Sequence, residues 1–178
     1  NVRENYRILL AQLAGVPAAA MVKANGYGLG SSEIAGAVAE VGCTTFFVAS
    51  LDEGIELRRA HPAIDIRVLN GAMAGTEAEL VHHGLIPVLN SLEQVERWSA
   101  QSEVVGNRLP AVLHLDTGMS RLGLAADEAQ QLSEQRWRLD QIEVVHVMSH
   151  LASADVPGSD GPKRQVELFT NLRSIFSM

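Results

Sequence analysis

The sequence predicts a parallel α/β fold, and three observations carry that expectation. Six short apolar runs recur along the 178 residues at intervals of about 20 to 30. They are mostly continuous rather than alternating, the pattern of strands buried on both faces. Helical patterns with their own start and stop signals separate them. Such alternation is βα-unit spacing, and it suits two architectures: an open doubly wound sheet, or a (β/α)8 barrel.

The elements follow in order. The first run, residues 18–22, ends in Lys23 and a turn containing Gly26, Gly28 and Gly30. A helix is expected over 31–40, with Ile34, Ala35, Val38 and Ala39 at helical spacing. The second run, 46–49, leads into Ser50-Leu51-Asp52-Glu53, a capping box whose helix continues through Ile55, Leu57 and Arg58. Run 66–69 precedes a helix over 76–83 that Gly84 stops. Run 86–89 is followed by a helix over 91–98, and run 111–115 by one over 125–138. The sixth run, 144–148, precedes a closing helix over 162–176 with Val166, Phe169 and Leu172 on one side. Between them, 153–161 is rich in Gly, Pro, Ser and Asp and reads as a loop.

Composition narrows the function. With 47% apolar and 20% charged residues the chain is an ordinary globular protein, not a disordered one. A formal charge of −7 argues against nucleic acid or an anionic membrane surface as partner, because both need a basic face. No apolar run is long enough to span a membrane. Cys43 is the only cysteine, so no intrachain disulfide forms, and a reducing, cytoplasmic setting fits.

In a parallel sheet or barrel, functional groups gather where strands end. Lys23 closes the first apolar run, where an unpaired buried charge is costly. The functional reading is an amine used as a nucleophile, often to form a Schiff base; the plain one is a lysine that snorkels to solvent. Tyr27 follows, able to bind a phosphate beside glycine-borne amides or simply to anchor its hydroxyl to the backbone. The fifth strand runs into Asp116-Thr117-Gly118-Met119-Ser120-Arg121-Leu122-Gly123. Arg121 offers a planar fork for a carboxylate, or is a solvated surface arginine. Asp116 is expected to cap its own turn. The sixth strand runs to His150, which taken alone is more often a satisfied structural histidine than a catalyst. As a set, these groups suit an aldehyde cofactor with a carboxylate substrate.

Other signals are weak. A single Asp-Thr-Gly triplet in an α/β pattern is not an aspartic protease. Glu79, His82 and His83 share a helix face but lack a second cluster to complete a metal site. Cys43 reads as a small buried hydrophobe.

Together these segments resemble the alanine racemases, fold-type III pyridoxal-phosphate enzymes. Val22-Lys23-Ala24-Asn25-Gly26-Tyr27-Gly28-Leu29-Gly30 is similar to their V-K-A-N-A-Y-G-H-G signature, Asp116–Gly123 to D-T-G-M-x-R-L-G, and Ser149–Asp155 to T-H-F-A-x-A-D. The resemblance implies a partial (β/α)8 TIM barrel, about six of eight βα units with parallel strands. It implies that 1–178 is the N-terminal, cofactor-binding portion, the last two units and a C-terminal β-domain lying outside it. It further implies pyridoxal 5'-phosphate as cofactor, a small amino acid as substrate, racemisation of alanine for peptidoglycan synthesis, and a homodimer for the complete protein. Lys23 would form the imine and act as one of two bases. Tyr27 would bond the cofactor phosphate, Arg121 would engage the substrate carboxylate and the cofactor's phenolic oxygen, and His150 would lie beside the pyridine ring. With the opposing tyrosine base outside the chain, the fragment alone is expected to be inactive. Gly26 replaces the usual alanine and Leu29 the usual histidine. His114 stands where many members place a lysine, reported in some to be carbamylated and to orient the arginine; a histidine forms no stable carbamate, so His114 would hold Arg121 directly or anions would fill the gap. A non-catalytic pyridoxal-phosphate-binding protein of the same barrel class, or a structural remnant, is the alternative.

Overall fold

The six apolar runs become six strands, each parallel to its neighbours. The computed structural model describes residues 2–156 and 158–176. Within it β1 is Ala20–Met21, β2 Thr45–Val48, β3 Asp65–Val68, β4 Ile86–Leu89, β5 Leu109–His114 and β6 Ile142–Met148. The helices are α1 (Val2–Gln12), α2 (Lys23–Tyr27), α3 (Ser31–Ala39), α4 (Leu51–Ala60), α5 (Glu77–His82), α6 (Leu92–Val105), α7 (Ala126–Glu134) and α8 (Gly161–Ser174).

The chain divides into two compact units, Asn1–Asn70 with Ala78–Pro87, and Gly71–Glu77 with Val88–Met178. In the first, β1 pairs with β2 (Met21 opposite Phe47) and β2 with β3 (Val48 opposite Val68), while Arg67 and Val68 pair with Ile86 and Pro87. Phe46, Val48, Ile66 and Val68 are fully buried there, with Leu57 of α4 and Leu80 of α5. The Tyr6 hydroxyl donates to the Ala18 carbonyl at 2.7 Å and ties α1 to the approach to β1. In the second unit, Val88 and Leu89 pair with Val112 and Leu113, and β5 pairs with β6. Its core holds Trp98, Leu113, Leu115, Leu132 and Ile142.

Several sequence expectations are corrected. β1 has two residues rather than five, because alanine makes a poor strand; one further ladder bond, Val22 N–H to the Phe47 carbonyl, continues its line. Burial on both faces holds for most of β3, β4 and β5 but not for β2, where Thr45 and Phe47 are half-buried, nor for β6, where Glu143 and His146 are exposed. α6 runs past Trp98 until Gly106, at φ +76°, ends it. The single helix expected over 125–138 is α7 followed by a 3-10 turn, Arg136–Leu139. On α8 the packed face is centred on Gln165, which is buried, while Val166 is 54% exposed.

Candidate active site

In the first unit, Lys23 begins a turn with an unusual hand. Ala24, Asn25, Gly26 and Tyr27 all have positive φ, from 51° to 62°. For residues with a Cβ, left-handed backbone costs about 1–2 kcal/mol each, so it persists only where surroundings over-determine it. Here they do. The Gly26 N–H reaches the Val22 carbonyl, the Gly28 N–H that of Ala24 and the Gly30 N–H that of Asn25. The Asn25 side chain accepts from the Ser31 N–H at 3.0 Å. A Cβ on Gly26 would lie 3.1 Å from the Ser31 nitrogen, so the turn is packed directly against α3. Lys23 and Tyr27 lie one turn apart, and residues so spaced project from the same side. Lys23 is half-buried and Tyr27 is 63% exposed, so the phenol is open to solvent.

Glu53 fastens this turn from α4. Ser50 caps the helix as expected, its Oγ accepting from the Glu53 N–H at 3.4 Å. The Glu53 carboxylate does not close the box by returning to Ser50. It accepts from the Ala49 N–H at 2.7 Å and from the Ala24 N–H at 2.8 Å, linking the end of β2 to the residue after Lys23.

In the second unit, a bulge sets which side β6 presents. Ala111 pairs with Val144, yet Val112 pairs with His146 and His114 with Met148, so Val145 is the extra residue. One inserted residue moves everything after it to the other face of the strand. It thereby gives Met148 the side occupied by His114, and His150, two residues on, continues that line. His114 is buried, and its Nδ1 lies 2.8 Å from the Asn90 Oδ1. The Asn90 Nδ2 donates to the Val88 carbonyl at 2.8 Å, which fixes the amide so that the imidazole donates through Nδ1 and leaves Nε2 as an acceptor. Burial, then the charges of His150 and Arg121, push His114 down to about 4 against a smaller opposing pull from Asp116. At neutral pH His114 is therefore uncharged, and its donor nitrogen is spent on Asn90.

The loop carrying Arg121 is closed at its base. Leu124 donates to the His114 carbonyl at 2.7 Å and accepts from the Asp116 N–H at 2.9 Å. Only glycine fits at 123: with φ +109°, a Cβ there would stand 2.8 Å from the Asp116 nitrogen. Asp116 caps the turn, its Oδ1 accepting from the Gly118 and Ser120 N–H groups at 2.9 and 3.0 Å. Burial alone would raise its carboxyl, but hydrogen bonds from Ser120, Gly118 and Met119 outweigh that and hold it below the usual carboxylate range. Arg121 borders a cavity of about 450 Å³, with Asn90, Ser91, Gln94, Asp116, Ser120, Leu122 and Gly123. Beneath the loop the Thr117 and Ser149 hydroxyls meet at 2.7 Å. Gln165 of α8 bonds Thr117 Oγ1, the His150 carbonyl and the Ala152 N–H.

The structure thus brings Lys23 and Tyr27 together in one unit, and Arg121 and His150, with His114 and Asp116, in the other. Sequence reasoning missed the second bond of Glu53, the Asn90–His114 pair, the Val145 bulge and Gln165. A signal existed for Glu53, at the third position after a cap; a lone glutamine between Arg164 and Val166 gives none. Glu79 and His83 pair at 3.4 Å on α5, and no metal-binding cluster occurs among the described residues. Cys43 is buried, as read. No helix among the described residues is long and apolar enough to cross a membrane.

Known proteins resemble this chain over nearly its whole length. Residues 1–177 match the family model "Alanine racemase, N-terminal domain". The chain is 46% identical over 172 residues to an alanine racemase of Brucella ovis, covering 96% of this chain and 43% of that protein. It is 47% identical over 175 residues to a catabolic alanine racemase of Mesorhizobium japonicum, covering 98% and 46%. Among solved structures, alanine racemase from Bartonella henselae with covalently bound pyridoxal phosphate superposes with a TM-score of 0.95 at 34% identity, covering 99% of this chain and 52% of that one. The chain therefore spans about half the length of the relatives it matches, and its parallel βα units are those of a partial (β/α)8 barrel. The match to the family model over residues 1–177, with 46–47% identity to relatives along nearly the whole chain, makes it a member of the alanine racemase N-terminal domain family.

Proposed function

We propose that this chain is the cofactor-binding barrel portion of a pyridoxal-phosphate-dependent alanine racemase that interconverts L- and D-alanine. The observation that carries the proposal is the Lys23 turn, a strand-end amine on a left-handed backbone that its neighbours hold by hydrogen bonds to Glu53 and Asn25. The residue types fit a phosphate-bearing aldehyde and a carboxylate: an amine with a solvent-facing phenol one turn on in the first unit, and a guanidinium and an imidazole in the second. Lys23 would hold the cofactor until the substrate amine displaces it, and the cofactor would then supply an electron sink for the charge left when the α-proton departs. Lys23 Nζ takes or returns that proton on one face of the substrate. Tyr27 Oη would bond the cofactor phosphate. Arg121 would hold the substrate carboxylate through its planar fork and engage the phenolic oxygen. His150 would pack beside the ring.

Inverting a stereocentre needs a second base on the opposite face, which Lys23 cannot supply. In this reading that base, the last two βα units and a C-terminal β-domain belong to the complete protein, a cytoplasmic homodimer that supplies D-alanine to peptidoglycan. The 178 residues alone do not racemise at enzymatic rates. The test is a visible absorbance titration of the chain with pyridoxal phosphate beside Lys23→Ala, followed by borohydride and a coupled D-alanine assay. An imine band that borohydride removes and Lys23→Ala lacks, without turnover, is the expected result. A band of equal strength in Lys23→Ala removes Lys23 from its role, and robust turnover by the chain alone refutes its inactivity.

A further inference from the structure

Arg121 and His150 are both exposed and both sit on loops, so neither is held by the packing of its own side chain. Their positions come from the backbone beneath them, and that backbone is fastened at one point. Gln165, 6% exposed, uses every valence of its amide but one acceptor lone pair. Its Nε2 donates to the His150 carbonyl at 3.0 Å and to Thr117 Oγ1 at 3.2 Å. Its Oε1 accepts from the Ala152 N–H at 2.9 Å. A carbonyl only accepts and a backbone N–H only donates, so these two partners fix the orientation of the amide. Thr117, accepting from Gln165, can then donate to Ser149 Oγ, which lies 2.7 Å away at the end of β6.

We propose that Gln165 is a positioning residue that couples the loop after β5, which carries Arg121, to the loop after β6, which carries His150. It grips the second loop on both sides of Leu151 and the first at the residue after Asp116. Resting on the function proposed above, the coupling means that a substrate held by Arg121 and a ring beside His150 keep one relative placement. No shorter side chain on α8 reaches all three partners, and a carboxylate there would face the His150 carbonyl with no proton to give.

The test uses Gln165→Met, of similar length but unable to make these bonds, in the full-length protein loaded with pyridoxal phosphate. The Lys23-dependent absorbance band is retained, while KM for alanine rises tenfold or more and kcat falls less. Thr117→Val, which removes one arm of the bridge without touching α8, moves KM in the same direction by a smaller factor and stands in if Gln165→Met does not fold. The double variant is no worse than Gln165→Met, since both break one linkage. A lower Tm with KM and kcat unchanged per loaded site would mean a merely structural glutamine and overturns the proposal. Amide exchange in the cofactor-free chain separates this from a failure of the functional reading. Gln165→Met speeds exchange tenfold or more at Ala152 and also at Gly118 and Ser120 on the other loop, leaving Val112 and Leu113 protected. Unchanged exchange at Gly118 and Ser120 overturns the coupling whatever the enzyme's reaction proves to be.

Discussion

The turns after β2 and β4 share one sequence device and put it to different ends. They read Ser50-Leu51-Asp52-Glu53 and Ser91-Leu92-Glu93-Gln94. In each, the serine Oγ accepts from the backbone N–H three residues on, at 3.4 and 3.3 Å. In each, the side chain at that third position reaches past the cap to the residue before it, Ala49 at 2.7 Å and Asn90 at 3.0 Å. The difference is one functional group. A carboxylate has two acceptor oxygens, so Glu53 also takes the Ala24 N–H and clamps the lysine turn. An amide has one, so the Gln94 Oε1 takes the Asn90 N–H while its Nε2 turns to the Met73 sulfur at 3.9 Å, and the Asn90 side chain bonds His114. The charge sits where Ala24 is exposed and the neutral group where Gln94 is 7% exposed, as the cost of burying charge requires.

Exchanging the two groups is the sharpest way to break this comparison. Gln94→Glu places a carboxylate in a buried position beside Gly71, where a Cβ would already stand 2.0 Å from the Gln94 Oε1. One oxygen keeps the Asn90 N–H, and the other replaces an NH2 group that donates to the Met73 sulfur at 3.9 Å, a partner with no proton to give it. A buried, half-paired charge of this kind costs about 3 kcal/mol or more. Urea unfolding at neutral pH should show a loss of that size, and a loss below about 1 kcal/mol would mean that water reaches the site.

The second test concerns what Gln94 and Asn90 ultimately hold. His114 titrates near 6.5 when free and near 4 when folded, chiefly through burial and then through His150 and Arg121. Because its folded value is depressed, the unfolded chain binds the proton more readily. The neutral imidazole's contribution is complete above pH 6.5 and is lost as pH falls toward 4. The shift corresponds to at most about 3 kcal/mol. Asp116, held below its ordinary range, loses its contribution only at more acid pH, so the two transitions separate. Stability measured from pH 7 to 4.5 should fall in wild type and fall much less in His114→Gln. Parallel curves would mean that His114 binds its proton as readily in the folded protein as in the unfolded chain.

The difference between the two turns also marks what the sequence made legible. Strand and helix order came from apolar runs and stop signals, because burial imposes periodicity on the side chains themselves. Lys23, Tyr27, Arg121 and His150 stood out as candidates because charged or polar groups near strand ends interrupt that periodicity, and their roles remain those proposed above. The serine caps were legible too, but not where their third-position side chains went. Glu53 and Gln94 each have the choice of the cap or the residue before it, and the strand geometry decides. The Val145 bulge left no trace among the valines of β6, since an inserted valine does not alter an apolar run. Gln165 was hidden for a related reason: a polar residue on a mostly exposed helix looks solvated until three backbone and hydroxyl groups converge on it.

Glu53→Gln makes the smallest change and isolates the charged member of the pair. The amide keeps one acceptor, and the Ala49 N–H, at 2.7 Å the shorter bond, is the partner it should retain. The Ala24 N–H then faces an NH2 group and must turn to water, which it can do because Ala24 is exposed. The lost charge-assisted bond and the lost negative charge at the start of α4 together cost about 1–2 kcal/mol. That is comparable to what it takes to keep one residue left-handed, so the strain at Ala24 is no longer fully opposed. The expected outcome is a modest fall in stability and a several-fold weaker, still Lys23-dependent, association with pyridoxal phosphate. Loss of stability with cofactor affinity intact would show that the turn holds its hand without Glu53. The comparison would then reduce to two ordinary caps, because the second carboxylate oxygen of Glu53 would have no consequence for Lys23.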